Sequence, residues 1–413
     1  MPDRDFPEGF LFGAATSAHQ VEGGNSLSDW WAWELQGGSK DLSGDACDHY
    51  RRYRQDIELL REIGLSSYRF SVEWARIEPE EGRFDRSELE HYRDVAETCR
   101  SQGVEPIVTL HHFTLPLWLS RQGGVLAPQG ARAFARYCGR AAEALAGRAR
   151  WIVVINEPNI LALMGYLQGV WPPGRRSTGM ALRAARRLVT WYRTAAQAIR
   201  AVEPGALLGV AENWVDFAPL RESNLLHRLG SSLQDRAFNR WYLGQVRDQS
   251  DFIGINYYAR QYATGLFRQV PLRESGQPRT EMGWSIEPQG LLRALTAARA
   301  QGLPLLVTEN GTACADDGER GDYVVRHLAA VRDAIAAGAD VRGYQYWSLL
   351  DNFEWAEGYR PKFGLVAVDR GTQVRTPRPS ARLYGEIART GRLPAPPAPT
   401  PDPEEVPACR RAT

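Results

Sequence analysis

Short apolar runs recur along the chain, and each is followed by a segment in which apolar residues return every three or four positions. Runs of this kind are typical of strands buried on both faces, and the longer period is typical of helices with one buried face. The predicted strands are FLFGAAT (10–16), SSYRFSV (66–72), EPIVTLHH (105–112), WIVVIN (151–156), ALLGVAEN (206–213), FIGINYY (252–258), PLLVTEN (304–310) and VRGYQYWSL (341–349).

Helical patterns fill the segments between these strands, and several of them end at a glycine, a common helix C-cap. The clearest predicted helices are residues 50–64, 87–103, 131–147 and 181–205. Eight buried strands alternating with helices predict an α/β fold, a single (β/α)8 TIM barrel over residues 1–393. Residues 394–413 are rich in proline and have little to bury, so we predict a disordered tail there.

Two of the predicted strands deliver a glutamate at their C-terminal end, where TIM barrels carry their chemistry. Glu157 follows WIVVIN, and Glu309 follows PLLVT. Each acid could instead cap the next loop, and the Asn-Gly after Glu309 is a common turn pair. Two glutamates at one barrel mouth suit glycoside cleavage, in which one carboxylic acid protonates the leaving oxygen and a carboxylate meets the reacting carbon.

A buried arginine would separate the roles of two such acids. The general acid must hold a proton near neutral pH, which apolar surroundings or a neighbouring negative charge favour. The nucleophile must stay ionised, which a nearby cation favours. Arg69, on the second predicted strand, is the candidate cation, and a structural ion pair with Glu73 is the alternative interpretation.

Composition excludes several other classes of protein. The formal net charge of the 413 residues is +1, which argues against a nucleic-acid or anionic-membrane partner. The N-terminus shows no secretory pattern, and no apolar run approaches the roughly 20 residues of a membrane span. An odd number of cysteines without C-x-x-C spacing favours neither disulfides nor zinc, so we expect a cytoplasmic protein. They are Cys47, Cys99, Cys138, Cys314 and Cys409.

The chain contains 13 tryptophans, and aromatic residues make up 10% of it. Tryptophan combines a flat apolar face with one polar N–H, so many tryptophans beside carboxylates suit a pocket for sugars. A tryptophan-rich core is the alternative interpretation for about half of them.

Several motifs occur in an order and spacing that resemble glycoside hydrolase family 1, the β-glucosidase and β-galactosidase family, over about residues 6–393. They are FLFGAATSAHQVEGG, VTLHHFTLPLWL, INEPN, GINYY, VTENG and GYQYWSLLDNFEWAEGYRPKFGLVAVD. The resemblance implies a retaining β-glycosidase that forms a covalent glycosyl-enzyme intermediate. Its expected substrates are small-molecule β-glucosides, together with β-galactosides or β-fucosides, or oligosaccharides, and it implies no cofactor and no metal.

The same resemblance assigns catalytic roles by motif position. Glu157 in NEP corresponds to the acid/base, and Glu309 in TENG corresponds to the nucleophile. Arg69 and Tyr258 occupy positions that contact the nucleophile in the family. Asn156 would hold the sugar 2-hydroxyl.

The resemblance also assigns a pocket for the terminal sugar. Gln20 and Glu354 would grip the 3-, 4- and 6-hydroxyls, and His112 would contact the 3-hydroxyl. Trp347 would stack beneath the sugar ring, and Trp355 would contact the 3- and 4-hydroxyls.

Two further positions bear on specificity. Trp284 resembles a family tryptophan at the aglycone entrance. Family members that cleave 6-phosphoglycosides have serine at the position of Glu354 and add a lysine and a tyrosine where this chain has Pro361 and Phe363. A carboxylate facing a phosphate would repel it, so we expect unphosphorylated substrates.

Three alternatives remain open from sequence. A transglycosidase would use the same intermediate, and the aglycone loops would decide between transfer and hydrolysis. A non-catalytic sugar-binding barrel would lack one of the two glutamates, and both are present. A metal-dependent barrel enzyme would need clustered ligands, whereas His111 and His112 are adjacent and point to opposite faces of a strand. The oligomeric state stays unknown.

Overall fold

The computed structural model describes residues 5–266, 269–270 and 279–394. The tail predicted for 394–413 lies outside the described residues beyond Pro394, so the division of the chain at residue 393 stays a prediction. Within the described part of the chain, no helix is long and apolar enough to cross a membrane.

Eight parallel strands close into a barrel, which confirms the predicted TIM fold. Each strand pairs with the next one along the chain, including β5 with β6. The barrel closes because β8 pairs with β1, in the register Leu11↔Gly343 to Ala15↔Trp347. The strands are β1 (Leu11–Ala15), β2 (Ser67–Ser71), β3 (Glu105–Thr109), β4 (Trp151–Asn156), β5 (Leu207–Pro219), β6 (Phe252–Ala263), β7 (Leu305–Asn310) and β8 (Val341–Trp347).

Helices surround this barrel, and the four clearest sequence predictions match observed helices to within three residues at each end. The numbered helices are α1 (His49–Ile63), α2 (Arg86–Ser101), α3 (Gly130–Leu145), α4 (Thr178–Val202), α5 (Leu225–Gln234), the six-residue α6 (Trp241–Val246), α7 (Pro288–Ala298), α8 (Asp317–Ala336) and α9 (Pro379–Thr390). Short helices occupy Ala18–Val21, Asp29–Glu34, Trp74–Ile77, Leu117–Arg121 and Pro158–Leu161, and wider π-helical segments occupy Ala162–Gln168 and Asp235–Arg240. Single 3-10 turns lie at Gly124–Leu126, Arg247–Gln249, Arg299–Gln301 and Trp355–Glu357.

Three strand ends differ from the sequence prediction by three residues or more. β3 stops at Thr109, three residues early, and Phe113 in the following loop adopts a left-handed backbone with φ 73°. β5 and β6 continue past their predicted ends as a two-stranded ribbon, β5 to Pro219 and β6 to Ala263, in the register Asp216↔Arg260 to Pro219↔Ala263. Two small antiparallel pairs, Tyr262–Ala263 with Gln269–Val270 and Val366–Val368 with Arg375–Pro377, lie outside the barrel.

The barrel interior has an apolar layer below a polar layer. The apolar layer joins side chains from five strands, Ile107, Val153, Ala211, Phe252 and Leu306. Above it, at the C-terminal ends of the strands, the interior side chains become polar. Because parallel strands all end at the same rim, the residues that terminate them are brought together.

Candidate active site

Arg69 on β2 organises the polar layer, and its side chain is only 1% exposed. Its Nε donates to Thr109 Oγ1 at 3.0 Å, and its Nη2 donates to Asn156 Oδ1 at 2.7 Å. Its Nη1 donates to a carboxylate oxygen of Glu309 at 2.6 Å and to the Thr308 carbonyl at 3.0 Å. The guanidinium therefore joins the ends of β2, β3, β4 and β7.

The alternative ion pair between Arg69 and Glu73 is wrong. Glu73 instead begins the short helix Trp74–Ile77, where it accepts from the Ala75 amide, and both of its oxygens lie 3.0 Å from the Thr114 hydroxyl. Glu73 lies beyond the end of β2, where the chain has already turned into this helix.

Glu309 is the second-to-last residue of β7, and two side chains donate hydrogen bonds to its carboxylate. One oxygen accepts from Arg69, and the other accepts from the Tyr258 hydroxyl at 2.7 Å. Burial raises the pKa of Glu309, and the Arg69 charge and the Tyr258 hydrogen bond oppose that rise. Glu309 is thus a buried carboxylate with a direct cationic partner.

Glu157 follows β4 and takes a left-handed backbone, φ 44° and ψ 60°, before Pro158 begins a short helix. One oxygen accepts from Asn213 Nδ2 at 2.9 Å and from Asn256 Nδ2 at 2.8 Å. Burial first, and the charge of Glu309 second, raise the pKa of Glu157 to about 8.

The two glutamates therefore have unequal surroundings. Glu309 accepts a hydrogen bond from a guanidinium, whereas Glu157 accepts only from neutral amides among the residues that the structure describes. Negative charge is stabilised more strongly beside a cation than beside an amide, so Glu309 ionises first and Glu157 keeps its proton near neutral pH. Asn256 links the pair, because its amide bonds Glu157 and also lowers the pKa of Glu309.

Gln20 and Glu354, predicted as a pair, lie together on one side of the site. Gln20 is fully buried, and its Nε2 lies 3.2 Å from Glu354 Oε2 and 2.8 Å from the Phe353 carbonyl. Its Oε1 accepts from the Ser17 hydroxyl at 2.6 Å, which fixes the orientation of the amide. Burial, then the charges of Glu309 and Glu157, raise the pKa of Glu354 to about 8.

Three predicted aromatic residues form a stacked wall. The His112 ring is nearly parallel to both Trp347 and Trp355, with interplanar angles of 16° and 13° and centroid distances of 5.8 and 6.1 Å. His112 Nε2 lies 3.3 Å from Asn156 Nδ2. Burial and the Arg69 charge lower the pKa of His112 well below its usual value, so the ring is neutral.

Trp284 is partly buried and packs against the apolar cluster that contains Trp347 and Phe363. Its ring lies 5.3 Å from that of Tyr258 and 6.3 Å from that of Phe363. Phe363 is 2% exposed and adds no polar group there. A cavity of about 810 Å³ opens beside these residues and reaches Glu157 and Glu354.

His111 faces away from the site. Its ring packs against Phe134 and Trp191, on α3 and α4, while His112 faces the barrel mouth. In the described part of the chain, no three His, Cys, Asp or Glu side chains group closely enough to hold a metal ion.

Asn213 and Asn256 were not assigned a role from sequence, yet both donate to Glu157. Each lies at a strand position that faces the barrel mouth, on β5 and β6, and the two are paired in register. Their positions at the predicted ends of two successive strands could have placed both side chains near Glu157, because the ends of neighbouring strands meet at the rim of the barrel.

A closed (β/α)8 barrel that sets one arginine-paired glutamate and one neutral glutamate at its strand ends has the arrangement of a glycoside hydrolase. Comparison with known families gives the same class and narrows it. The chain belongs to glycosyl hydrolase family 1, whose model matches residues 3–248 and 243–392.

Individual relatives are similar over nearly their full length. β-Glucosidase A of Thermotoga maritima is 32% identical over 95% of this chain and 100% of its own. A bifunctional β-D-glucosidase/β-D-fucosidase of Bifidobacterium breve is 33% identical over 92% of this chain and 97% of its own. The solved β-glycosidase from Pyrococcus horikoshii superposes with a TM-score of 0.90 at 38% identity, covering 96% of this chain and 97% of that one.

Proposed function

We propose that this glycoside hydrolase is a retaining β-glycosidase that removes terminal non-reducing β-D-glucosyl residues through a covalent glycosyl-enzyme intermediate. The observation that carries the proposal is the difference between the two buried glutamates: Glu309 is paired with Arg69, and Glu157 has a pKa raised to about 8. A nucleophile and a general acid need these two states at the same pH.

In the first step, a Glu309 oxygen attacks the anomeric carbon while Glu157 donates its proton to the departing glycosidic oxygen. In the second step, Glu157 takes a proton from water, the water attacks the same carbon, and the Glu309–sugar bond breaks. Both carboxyls return to their starting states, and the configuration at the anomeric carbon is retained. The shared donor Asn256 supports a close pair of carboxyls, as retention requires.

Arg69 and Tyr258 act on Glu309 in this proposal. They stabilise its charge before attack, and they must release part of that interaction as the charge is neutralised in the ester. Asn156, oriented by Arg69 through a 2.7 Å hydrogen bond, is available for the sugar 2-hydroxyl, whose contacts strengthen in the transition state.

The sugar subsite is proposed to lie between Gln20, Glu354 and the stacked rings of His112, Trp347 and Trp355. Hydrogen-bonding groups of Gln20 and Glu354 meet hydroxyls, and Trp347 offers an apolar face to the ring. Relatives named as β-glucosidases and as a β-glucosidase/β-fucosidase support glucosides as substrates, with fucosides as further ones. We propose galactosides as well, on the family motifs alone.

We propose that the substrates are unphosphorylated. Glu354 stands where a phosphate-binding member would have a neutral serine, and the buried phenyl ring of Phe363 offers no hydroxyl. A phosphate dianion would face Glu354 and lose water without gaining a cation.

We also propose a reducing, cytoplasmic setting. Cys47, Cys99, Cys138 and Cys314 are all buried and free in the described part of the chain. Cys409 lies outside the described residues. Activity that survives treatment with a thiol reductant and a chelator is the expected result.

Hydrolysis of a panel of aryl β-glycosides tests the proposal: glucoside, galactoside, fucoside, mannoside and 6-phosphoglucoside. Cleavage of the neutral glucoside with the 6-phosphate inert is expected, and NMR of the first sugar released should show the β-anomer. An α-anomer would refute retention, and no cleavage by folded protein would favour a sugar-binding barrel.

Two variants test the roles of the glutamates. Glu309→Gly should abolish turnover, and azide should restore it by forming a glycosyl azide of inverted configuration. Glu157→Ala should slow substrates with poor leaving groups far more than activated aryl glycosides, because only the former need protonation. Equal losses on both would remove Glu157 from the acid role. Sugar transfer products at high acceptor concentration would indicate the transglycosidase alternative.

A further inference from the structure

His19 is a buried histidine that the proposed mechanism does not use, and it directly precedes Gln20. Both residues belong to the short helix Ala18–Val21. Gln20 lies beside Glu354 in the proposed sugar subsite. The His19 ring lies against Trp355 of the same subsite. One short helix therefore contacts two residues that are proposed to meet the sugar hydroxyls.

The indole of Trp355 is packed by several aromatic rings. The His19 ring is nearly parallel to it, with an interplanar angle of 7° and a centroid distance of 5.6 Å. The His112 ring is nearly parallel as well, at 13°, while the Trp30 ring is tilted by 49° at a centroid distance of 4.6 Å. Aromatic pairs accept both offset-stacked and edge-on arrangements, so ring packing alone does not define where the indole N–H points.

The backbone of Trp355 also needs support from its surroundings. It is left-handed, with φ 50°, at the start of the 3-10 turn Trp355–Glu357. A bulky residue in this region of backbone space is strained and stays there only because neighbouring contacts hold it. The position of the indole thus depends on how firmly its neighbours are fixed.

Two buried side chains fix the ring of His19. Glu34 Oε1 lies 2.7 Å from His19 Nε2, and neither of these side chains has exposed surface. Asn25 Nδ2 lies 2.9 Å from His19 Nδ1. An amide nitrogen can only donate, so Nδ1 accepts from Asn25, and Nε2 carries the hydrogen that is donated to Glu34. With both nitrogens bonded, the ring cannot rotate without losing a buried hydrogen bond.

Glu34 is itself anchored to the loop that follows it. Its second oxygen, Oε2, accepts from the Ser43 amide at 2.6 Å. A series of contacts therefore runs from the Ser43 backbone through Glu34 and His19 to the indole of Trp355.

An imidazole and a carboxyl group are a costly way to fill buried space beside an indole. A phenyl ring could stack in the same place without taking a polar pair out of water. Hydrogen bonds differ from apolar packing because they are directional. What the His19–Glu34 pair adds to simple packing is therefore a fixed orientation of the ring that contacts Trp355.

We propose that His19, held by Glu34 and Asn25, is a positioning residue of the sugar subsite. It fixes the plane of the Trp355 indole, so that the indole N–H meets the 3- and 4-hydroxyls of the terminal sugar. The inference rests on the proposed function and adds residues behind the subsite to those that determine sugar recognition. A correctly placed donor discriminates against substrates that lack the matching hydroxyl, and a misplaced donor loses that discrimination.

The test measures discrimination between 4-nitrophenyl β-D-glucoside and its 2-deoxy, 3-deoxy and 4-deoxy analogues. His19→Phe keeps a flat ring against Trp355 and removes both hydrogen bonds. The preference in kcat/KM for the glucoside over the 3-deoxy compound, the 4-deoxy compound or both should fall by about fivefold, the worth of one neutral hydrogen bond. The preference over the 2-deoxy compound should stay the same, because Asn156 is proposed to hold the 2-hydroxyl. Three unchanged preferences, or an equal fall in all three, would overturn the inference.

A second buried pair of a histidine and a carboxyl group provides a matched control. His49 Nδ1 lies 2.8 Å from Asp56 Oδ2, and His49 is 5% exposed. Its ring packs edge-on against Tyr68, which is outside the proposed sugar subsite. His49→Phe removes the same kind of pair and should leave all three preferences unchanged. If the 3-deoxy and 4-deoxy preferences fell as far in His49→Phe as in His19→Phe, loss of stability would explain both, and the positioning role would be overturned.

Glu34→Gln provides the same measurement if His19→Phe does not fold. Glutamine has nearly the volume of glutamate but one oxygen instead of two, so it can accept from His19 or from the Ser43 amide and not from both. The preference over the 3-deoxy or 4-deoxy compound should then fall by about twofold or more. Unchanged preferences in this variant would also overturn the inference.

Failure of this inference is distinguishable from failure of the proposed function. If the unsubstituted protein cleaves the aryl β-glucoside and the preferences do not change in His19→Phe, only the positioning role is refuted. If the folded, unsubstituted protein cleaves no aryl β-glycoside, the proposed function itself is refuted.

Discussion

Replacing Glu157 with glutamine should make the protein more stable at neutral pH while removing the proposed general acid. Glutamine keeps a carbonyl oxygen that can accept from Asn213 and Asn256, at the positions now 2.9 and 2.8 Å from Glu157. It cannot ionise, so it resembles the protonated acid at every pH. The variant thus isolates the free-energy cost of burying an ionisable group at this position.

The expected size follows from the pKa of Glu157, which burial raises from an ordinary 4.5 to about 8. A carboxyl whose folded-state pKa is raised contributes stability that is complete below pH 4.5 and is lost as pH rises through about 8. Between pH 4.5 and pH 7 Glu157 ionises in the unfolded chain but stays protonated in the folded one. Each pH unit of this difference lowers the free energy of unfolding by about 1.36 kcal/mol, so over about 2.5 units the loss at pH 7 is about 3 kcal/mol. Glu157→Gln removes that loss at pH 7 and changes little at pH 4.

Thermal unfolding at pH 4 and pH 7 measures the difference. Unfolding entropy is about 2.1 cal/mol/K per residue, so for 413 residues 3 kcal/mol corresponds to about 3–4 °C in Tm. We expect Glu157→Gln to raise Tm by that amount at pH 7 and by less than about 1 °C at pH 4. Glu58→Gln, on the exposed face of α1, is the control and should change Tm equally at both pH values. An equal change in Glu157→Gln at both pH values would refute the raised pKa.

Three further substitutions test the surroundings of the glutamates. Tyr258→Phe removes a hydrogen bond that lowers the pKa of Glu309, so the acidic limb of the kcat/KM profile should move to higher pH, and an unmoved limb would contradict the contact. Asn213→Ala removes a bond that lowers the pKa of Glu157, so the alkaline limb should move upward, and a downward shift would argue against the assignment. Glu354→Gln should lower kcat/KM for aryl β-glucoside by about five- to thirtyfold, the worth of one or two neutral hydrogen bonds of about 1 kcal/mol each, and wild-type kinetics would exclude Glu354 from the sugar subsite.

The barrel and the residues at its rim could be predicted because two independent patterns agree. Apolar runs identify strands buried on both faces, and the polar residue that ends each run marks the rim. The order of the motifs then predicted which strand-end residues share one site. In the structure, hydrogen bonds join four of them, Arg69, Asn156, Tyr258 and Glu309. Their catalytic roles stay predictions.

Interactions that depend on side-chain direction were harder to predict. Arg69 and Glu73 are four residues apart, but the chain turns into a helix after β2, and the guanidinium reaches across the barrel to Glu309 on β7. Asn213 and Asn256 gain their partner only because β5 and β6 lie in register beside Glu157. Sequence identifies the strand end, whereas closure of the barrel determines which neighbour the side chain meets.

The extension of β5 and β6 beyond the barrel was also missed from sequence, and it shapes the cavity beside the site. Residues 214–219 continue pairing with β6 beyond the barrel, and that ribbon places Phe217 in the wall of the cavity that reaches Glu157. The continuous apolar pattern that predicts a barrel strand stops where the barrel core stops, because residues 216–219 alternate between buried and partly buried positions. One wall of that cavity thus comes from the part of the fold that the sequence indicated least.

Three glutamates in this site have the same side chain and different charge states. Arg69 bonds Glu309, whereas in the described part of the chain Glu157 and Glu354 accept only from neutral donors and have pKa values of about 8. Each ionised carboxylate in the cluster raises the pKa of the others, so the first negative charge forms where the cation is bonded. It follows that Arg69 acts on all three acids: it holds the charge of Glu309, and that charge in turn helps keep Glu157 and Glu354 protonated. When the proposed sugar ester neutralises Glu309, this repulsion ends, and Glu157 becomes easier to ionise at the step in which it must accept a proton from water.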